Sequence, residues 1–323
     1  MIEQQQGTSI LAQGQHNVCY LQFGHLLRFP EVVHGIFTRL GGYSEGECWG
    51  LNVSATRGDN FEHVLRNRLL ALQALDLEDL PCATLWQVHG GDVAVFAREH
   101  WADWHHDWPY RAYALDDREI IWTNRARLKA DAFITDERDV VLTMSFADCT
   151  PLLFYDATRQ VIGMAHAGWR GTARGIAAAT VEAMSARFGC RPADIRAGIA
   201  PAIGPCCYEV SEHVRDLFYS AVEFDEQPTN PRYRDLVRES AVFTLVHGKQ
   251  PSLRLDLEQT NRQQLLIAGI APEHIEAADL CTSCNRDRFF SHRGEHGLTG
   301  RFPVLLALRK PKQRLQGIDH YDR

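Results

Sequence analysis

Between Ala83 and Ala165 the chain repeats one pattern: four to seven apolar or β-forming residues, then a polar or glycine break. The runs are Ala83 to Gln87, Asp92 to Phe96, Ala132 to Thr135, Val140 to Phe146, Leu152 to Tyr155 and Val161 to Ala165. Segments that short become stable only as neighbours in a sheet whose apolar face is covered. The centre of the chain is therefore expected to be sheet. Another strand is read at Val32 to Thr38, ahead of the turn signal Arg39-Leu40-Gly41-Gly42.

Helical periodicity flanks this region. Phe61, Val64, Leu65, Leu69 and Leu72 fall on one face of a surface helix, with Arg66 and Arg68 off it. From Thr172 to Phe188, Ile176, Thr180, Met184 and Phe188 recur at i+4, and Gly189 supplies a stop. Beyond it come a strand at Ile195 to Ile199, a helix over about Ser211 to Ser220, a polar loop around Glu226 to Asp235 and a helix over about Leu257 to Ala268. Strands at Ile275 to Leu280 and Phe302 to Leu308 precede a basic tail. No Pro/Gly/Ser-rich linker divides the 323 residues, and 45% hydrophobic content suffices for a full core. The expectation is a single α+β domain with two strand layers.

Charge narrows the partners. With 34 Lys plus Arg against 41 Asp plus Glu, the net charge is -7, so no basic field exists to gather phosphate backbones or anionic lipid. Neither nucleic acid nor a membrane is an expected partner. The start lacks a basic region followed by an apolar run, and no apolar stretch approaches the roughly 20 residues of a bilayer span. Nine scattered cysteines fit a reduced, cytoplasmic setting better than a disulfide framework. The segment Arg98 to Asp117, rich in Trp and His, reads as an irregular excursion that caps a surface or a site entrance.

Three segments place a metal-competent side chain at a strand end: Trp86-Gln87-Val88-His89-Gly90, Ala147-Asp148-Cys149-Thr150-Pro151 and Ala165-His166-Ala167-Gly168-Trp169-Arg170-Gly171. Two imidazoles and a thiolate suit Zn²⁺ and leave a fourth tetrahedral position for water or substrate. Taken singly, each has a structural reading, since a His beside Gly is usually a turn residue and a lone Cys after a strand is usually buried and inert. Asp148 could orient a ligand imidazole or cap the following turn. Cys281 and Cys284 form an isolated C-x-x-C best read as structural thiols, and Cys206-Cys207 follow Gly204-Pro205 in a tight turn.

These segments, together with His34-Gly35-Ile36-Phe37-Thr38-Arg39-Leu40-Gly41-Gly42, Ile203-Gly204-Pro205-Cys206-Cys207-Tyr208-Glu209-Val210, and Cys281-Thr282-Ser283-Cys284 through Phe289-Phe290-Ser291-His292-Arg293, resemble in order the laccase-domain, or multicopper polyphenol oxidase-type, family. Members of that family have also been described as purine nucleoside phosphorylases and peptidoglycan editing factors. The resemblance spans roughly residues 30 to 309. It leaves residues 1–29 as an N-terminal extension, 98–117 as an insertion and 310–323 as a tail. Glu295-His296-Gly297-Leu298 departs from the family pattern. The resemblance implies a layered α/β/β/α sandwich, with His89, Cys149 and His166 as metal ligands and catalytic centre, Zn²⁺ as metal and copper as the alternative.

The implied substrates are purine nucleosides, among them adenosine, inosine and methylthioadenosine, together with phosphate; adenosine deamination is a second implied activity. Phosphorolysis needs cations around an anion, and Arg39, Arg170 and Arg293 lie in the family motifs. Arg170 is expected to join a helix start near Thr172 in holding phosphate. The rivals are a copper polyphenol oxidase, a metal-free enzyme with Cys149 as nucleophile and a His base, and a non-catalytic binding protein of the cell wall.

Overall fold

The computed structural model describes residues 9–13, 17–55, 58–97, 114–115, 118–119, 129–219, 231–247 and 251–310. The chain opens with strands β1 (Ser9–Gln13), β2 (Cys19–Phe23) and β3 (Val32–Phe37), then helix α1 (Phe61–Gln73), capped by the Asn60 side chain accepting from the Glu62 amide. Next come β4 (Cys82–Thr84), β5 (Val93–Val95), the pair β6 (Ala114–Leu115) and β7 (Arg118–Glu119), β8 (Ala132–Thr135), β9 (Val141–Phe146), β10 (Thr150–Asp156) and β11 (Val161–Ala167). A single turn of helix, α2 (Trp169–Thr172), leads to α3 (Ile176–Phe188), which ends at Gly189 with φ +68°. After β12 (Ile195–Ile199) and β13 (Glu209–Val210) come α4 (Glu212–Tyr219), α5 (Arg234–Ser240), β14 (Phe243–Val246), β15 (Ser252–Leu255), α6 (Leu257–Ile267), β16 (Ile275–Ala277) and β17 (Phe302–Leu308).

Two six-stranded sheets carry the fold, in the orders β1-β2-β3-β17-β9-β4 and β16-β12-β10-β11-β8-β5. Between them lies a core in which Ile36, Met144, Phe302 and Leu306 of the first sheet meet Phe133, Leu153, Tyr155 and Met164 of the second. The alternate residues face outward. Phe37, Val141 and Leu305 pack beneath Leu70 and Ala71 of α1, while Leu152, Phe154 and Ala165 pack beneath Ile176, Val181 and Met184 of α3 and Leu265 of α6. That is the α/β/β/α order. It explains why β10 and β11 are buried at every position, since each is covered on both faces. Among the described residues no helix is long and apolar enough to cross a membrane.

Several expectations shift. The segment set aside as an extension, 1–29, supplies β1 and β2, and β2 pairs with β3 while Leu21, Phe23 and Leu26 enter the inter-sheet core. The helix expected from Thr172 starts at Ile176, because Gly175 adopts φ +76° and separates it from α2. On α1 the buried arc runs through Val64, Asn67, Leu70, Ala71 and Leu72 rather than Leu65 and Leu69. Asn67 turns inward because its side chain ties down Ser44, Gly50 and Asn52. Of the polar loop read at Glu226 to Asp235, residues 226–230 lie outside the described residues and α5 begins at Arg234, while β13, β15 and β14 form a small sheet that the sequence did not announce. Most of the Trp/His-rich segment 98–117, and the tail from 311, lie outside the described residues.

Candidate metal centre

The chain passes from the first sheet to the second between β4 and β5, and again between β9 and β10. Because β4 and β9 are parallel neighbours, both passages leave the first sheet at one end. His89 lies on the former passage and Cys149 on the latter. His166 is the penultimate residue of β11, opposite Pro151 in the β10 register. One ligand atom from each of the three lies within 4.8 Å of the others. Residues far apart in sequence thus meet where the sandwich opens: His166 is buried, Cys149 half-buried and His89 exposed. The two imidazoles meet edge-on at 4.8 Å between centroids, and Phe146 backs the His166 ring at 5.5 Å.

Asp131, just before β8, organises this meeting. It is fully buried, and its carboxylate accepts from the backbone N–H groups of Val88, His89 and Gly90 at 3.1, 3.0 and 2.5 Å. Its Oδ1 also lies 2.8 Å from His166 Nδ1, which leaves Nε2 of that ring to face Cys149. His89 has φ +59°, a conformation unusual for a residue other than glycine. Three successive amides anchored on one carboxylate hold it there, and Arg174 Nη1 donates to the His89 carbonyl at 2.8 Å. Neither Asp131 nor Arg174 carries a sequence motif that marks it. Only their position against the His89 turn reveals their part.

The electrostatics follow from this wiring. Burial alone would raise the Cys149 thiol, but the charges and hydrogen bonds of His166 and His89 outweigh it and hold it at about 6. Burial would lower His166, yet the Cys149 thiolate and Asp131 together lift it to about 10. Asp131 is itself held below the ordinary carboxylate value: burial pushes upward, and His166 and the backbone amides prevail. The His166 and His89 partners thus favour the thiolate form of Cys149. A thiolate and two imidazoles, one fixed in tautomer by a carboxylate, are a donor set that fits Zn²⁺.

Gly168 makes the close approach possible. A Cβ at this position would stand 2.8 Å from Cys149 Sγ and 3.3 Å from His89 Cδ2. Gly168→Ala should therefore loosen metal binding without removing a ligand, weakening affinity by about tenfold or more, in the range of lost supporting contacts. Metal competition with a chromophoric chelator measures it, and unchanged affinity would mean that the thiol can move aside freely.

The remaining sequence candidates are placed differently. Asp148, at φ +82°, accepts from Thr282 Oγ1 and from the Arg293 amide, each at 2.6 Å. It fastens the 282–293 segment, and imidazole orientation falls to Asp131. Arg39 is buried and donates to Glu295 at 2.7 Å and to the carbonyls of Arg286 and Trp49. It ties a loop. Arg170 lies over the Trp169 ring at 4.3 Å on α2. Thr172, where a phosphate-holding helix start was expected, already donates its amide to Gly168 C=O at 2.8 Å.

Arg293 alone of the three lines a cleft of about 620 Å³. Arg254, Trp169, Tyr208 and Val210 line it too. Arg254, on β15, was not anticipated, because no motif or period in the sequence marks its segment. Arg293 stacks over Tyr208 at 5.1 Å and donates to the Glu209 carbonyl at 2.7 Å. The cleft adjoins the His/Cys centre, for Trp169 follows Gly168 directly, and the Tyr208 phenol, raised first by burial, is raised further by the Cys149 charge.

The chain is similar to several known proteins. Residues 33–309 match the family described as multi-copper polyphenol oxidoreductase laccase. A purine nucleoside phosphorylase, YlmD of Geobacillus stearothermophilus, is 35% identical over 87% of this chain and 92% of its own. The adenosine deaminase RL5, from an unknown prokaryote, is 31% identical over 83% of this chain and 92% of its own. The crystal structure of G. stearothermophilus YlmD superposes with a TM-score of 0.73 at 32% identity, covering 96% of this chain and 99% of that one.

Proposed function

Because the chain belongs to the multi-copper polyphenol oxidoreductase laccase family, we propose that it is a zinc-dependent purine nucleoside phosphorylase that also deaminates adenosine. The observation that carries this reading is the convergence of His89, Cys149 and His166 beside a cleft that combines aromatic faces with two arginines. When bound to those three residues, Zn²⁺ supplies a Lewis acid that polarises an oxygen and lowers the pKa of water toward neutrality.

Phosphorolysis forms a bond between a phosphate oxygen and the sugar C1′ and breaks the bond from C1′ to the purine nitrogen. The electron pair leaves with the base and is matched there by a proton. In this reading Arg293 and Arg254 hold the phosphate dianion, since a guanidinium offers five N–H donors and Arg293 gives one to Glu209. Trp169, Tyr208 and Val210 offer flat and apolar surface for the purine. Adenosine, inosine and methylthioadenosine share that base and sugar. Deamination exchanges the C6 amine for oxygen from water and releases ammonia, and it needs no phosphate.

The test is product analysis of adenosine incubated with the protein, with and without phosphate. Adenine that appears only with phosphate reports phosphorolysis, inosine reports deamination, and neither product would leave a binding protein such as a cell-wall editing factor. Arg293→Ala should raise the phosphate KM about tenfold or more, as loss of a charge-assisted hydrogen bond worth ~1.5 to 3 kcal/mol implies. Deamination should change far less. Arg170→Ala should affect phosphate less than Arg293→Ala, and equal loss of both activities in Arg293→Ala with metal retained would remove Arg293 from phosphate binding. The copper reading draws on the same His₂Cys donor set. It calls for copper in the purified protein and phenol oxidation, whereas zinc at about one ion in this centre excludes it.

A further inference from the structure

We propose that Cys206, Cys207, Cys281 and Cys284 bind a second metal ion of the zinc type, in a tetrahedral all-thiolate site separate from the His/Cys centre. The two sequence pairs, a vicinal Cys-Cys and a C-x-x-C lying some way down the chain, converge so that all four sulfurs lie within 4.8 Å of one another. Cys284 Sγ stands 3.4 Å from both Cys206 Sγ and Cys207 Sγ. Around a single Zn²⁺ with bonds of about 2.3 Å, tetrahedral sulfurs sit roughly 3.8 Å apart, so a small adjustment admits the ion. A cluster of several irons with bridging sulfides would need a wider cage. One disulfide would use only two of the four thiols gathered at this point.

The backbone is shaped to deliver these sulfurs. Cys207 and Tyr208 both donate to Gly204 C=O at 3.0 Å, and this tight turn lets adjacent side chains reach one centre. The Gly204 amide donates to Cys281 Sγ at 3.2 Å, as outer-shell donors do for metal-bound thiolates. A Cβ on Gly204 would stand 3.1 Å from Cys281 Cβ and 3.3 Å from Cys206 Sγ, so glycine keeps the two turns close. Cys206 and Cys284 are exposed. Two free thiols on the surface are open to oxidation, and metal ligation removes that exposure.

The ion adds to the ties that already hold this region, where Asp148 bonds Thr282 and Arg293, Arg39 bonds Glu295, and Phe289 and Phe290 are buried in the core. From 278 to 301 the chain contains no helix or strand apart from one bridge at Cys281. Irregular segments of that length need a fastening. This one carries Thr282 and Arg293, both bonded to Asp148, the neighbour of Cys149. The second ion thereby clips the 204–208 turn to the 281–285 turn and sets the wall of the cleft.

Elemental analysis and native mass spectrometry of zinc-loaded protein test this. Wild type should carry about two ions per chain, Cys284→Ser and Cys149→Ala about one each, and the double variant none, while Cys284→His should keep the second ion as a fourth ligand of accepted type. If wild type carried about one ion and Cys284→Ser none, this site would stand and the metal of the proposed enzyme would fall. A measurement on wild type alone needs no variant: the four cysteines should resist iodoacetamide in the zinc-loaded protein and react after chelation. Equal alkylation before and after chelation, zinc content indifferent to Cys284→Ser, or an intact mass short by two hydrogens through a disulfide would each overturn the proposal.

Discussion

Cys149→Ala is expected to abolish both phosphorolysis and deamination while the chain still folds. The substitution removes one of three protein ligands, leaving two imidazoles and too few bonds to define a tetrahedral ion. Loss of an outer-shell partner alone typically weakens metal affinity about 10- to 100-fold, so loss of a ligand should exceed about 100-fold. His89→Ala and His166→Ala should match it, since the three atoms act as one unit. The fold should tolerate the change because Cys149 lies on a passage between sheets and is only half-buried. Zinc content, circular dichroism and turnover measured on one preparation decide the matter. Retention of zinc in this centre with near-native activity would refute the assignment. Turnover that survives exhaustive chelation but not alkylation would replace it with a thiol enzyme.

Asp131 carries the second large effect, for its carboxylate accepts four hydrogen bonds at once. Asp131→Ala leaves three backbone amides and the His166 Nδ1 without their acceptor in a buried place. Each orphaned donor costs about 1 to 3 kcal/mol, and several together are a large share of the roughly 5 to 15 kcal/mol that holds a domain folded. Asp131→Asn is the gentler probe. It keeps one oxygen but turns an NH₂ toward donors, and it removes the negative charge that supports the raised pKa of His166. Metal affinity should fall about 10- to 100-fold, with a lower Tm for the metal-free protein. Competition with a chelator and thermal melts measure both, and wild-type values for each would show that the His89 turn holds its shape without the carboxylate.

A metal ligand and the group that positions it differ in what local sequence reveals. His89, Cys149 and His166 could be named because imidazole and thiolate are metal donors by chemistry, and because their surroundings resemble a family pattern. Asp131 could not. Asp131 stands one residue before β8 and Asp148 two residues before β10, positions that local sequence does not rank, yet Asp148 fastens Thr282 and Arg293. The arginines divide in the same way. Arg39 and Arg293 look alike in sequence, yet one is tied to Glu295 inside a loop and the other lines the cleft.

The amino-acid sequence by itself determined the elements and their class: the strand runs from Ala132 to Ala165, the stop at Gly189, the strands at Ile195 to Ile199 and Phe302 to Leu308, and the donor types of the metal ligands. Those are local properties, set by alternation, by helical period and by what a side chain can coordinate, and each can be read within a short window. Only the tertiary structure decided that two sheet-to-sheet passages open at the same end, bringing His89 and Cys149 to His166 and hanging the His89 turn on Asp131. It also joined Cys206 and Cys207 to Cys281 and Cys284, which in sequence read as two unrelated pairs. Sheet order and crossing direction follow from how distant apolar faces are buried together, and no local period records which distant residues that burial makes neighbours.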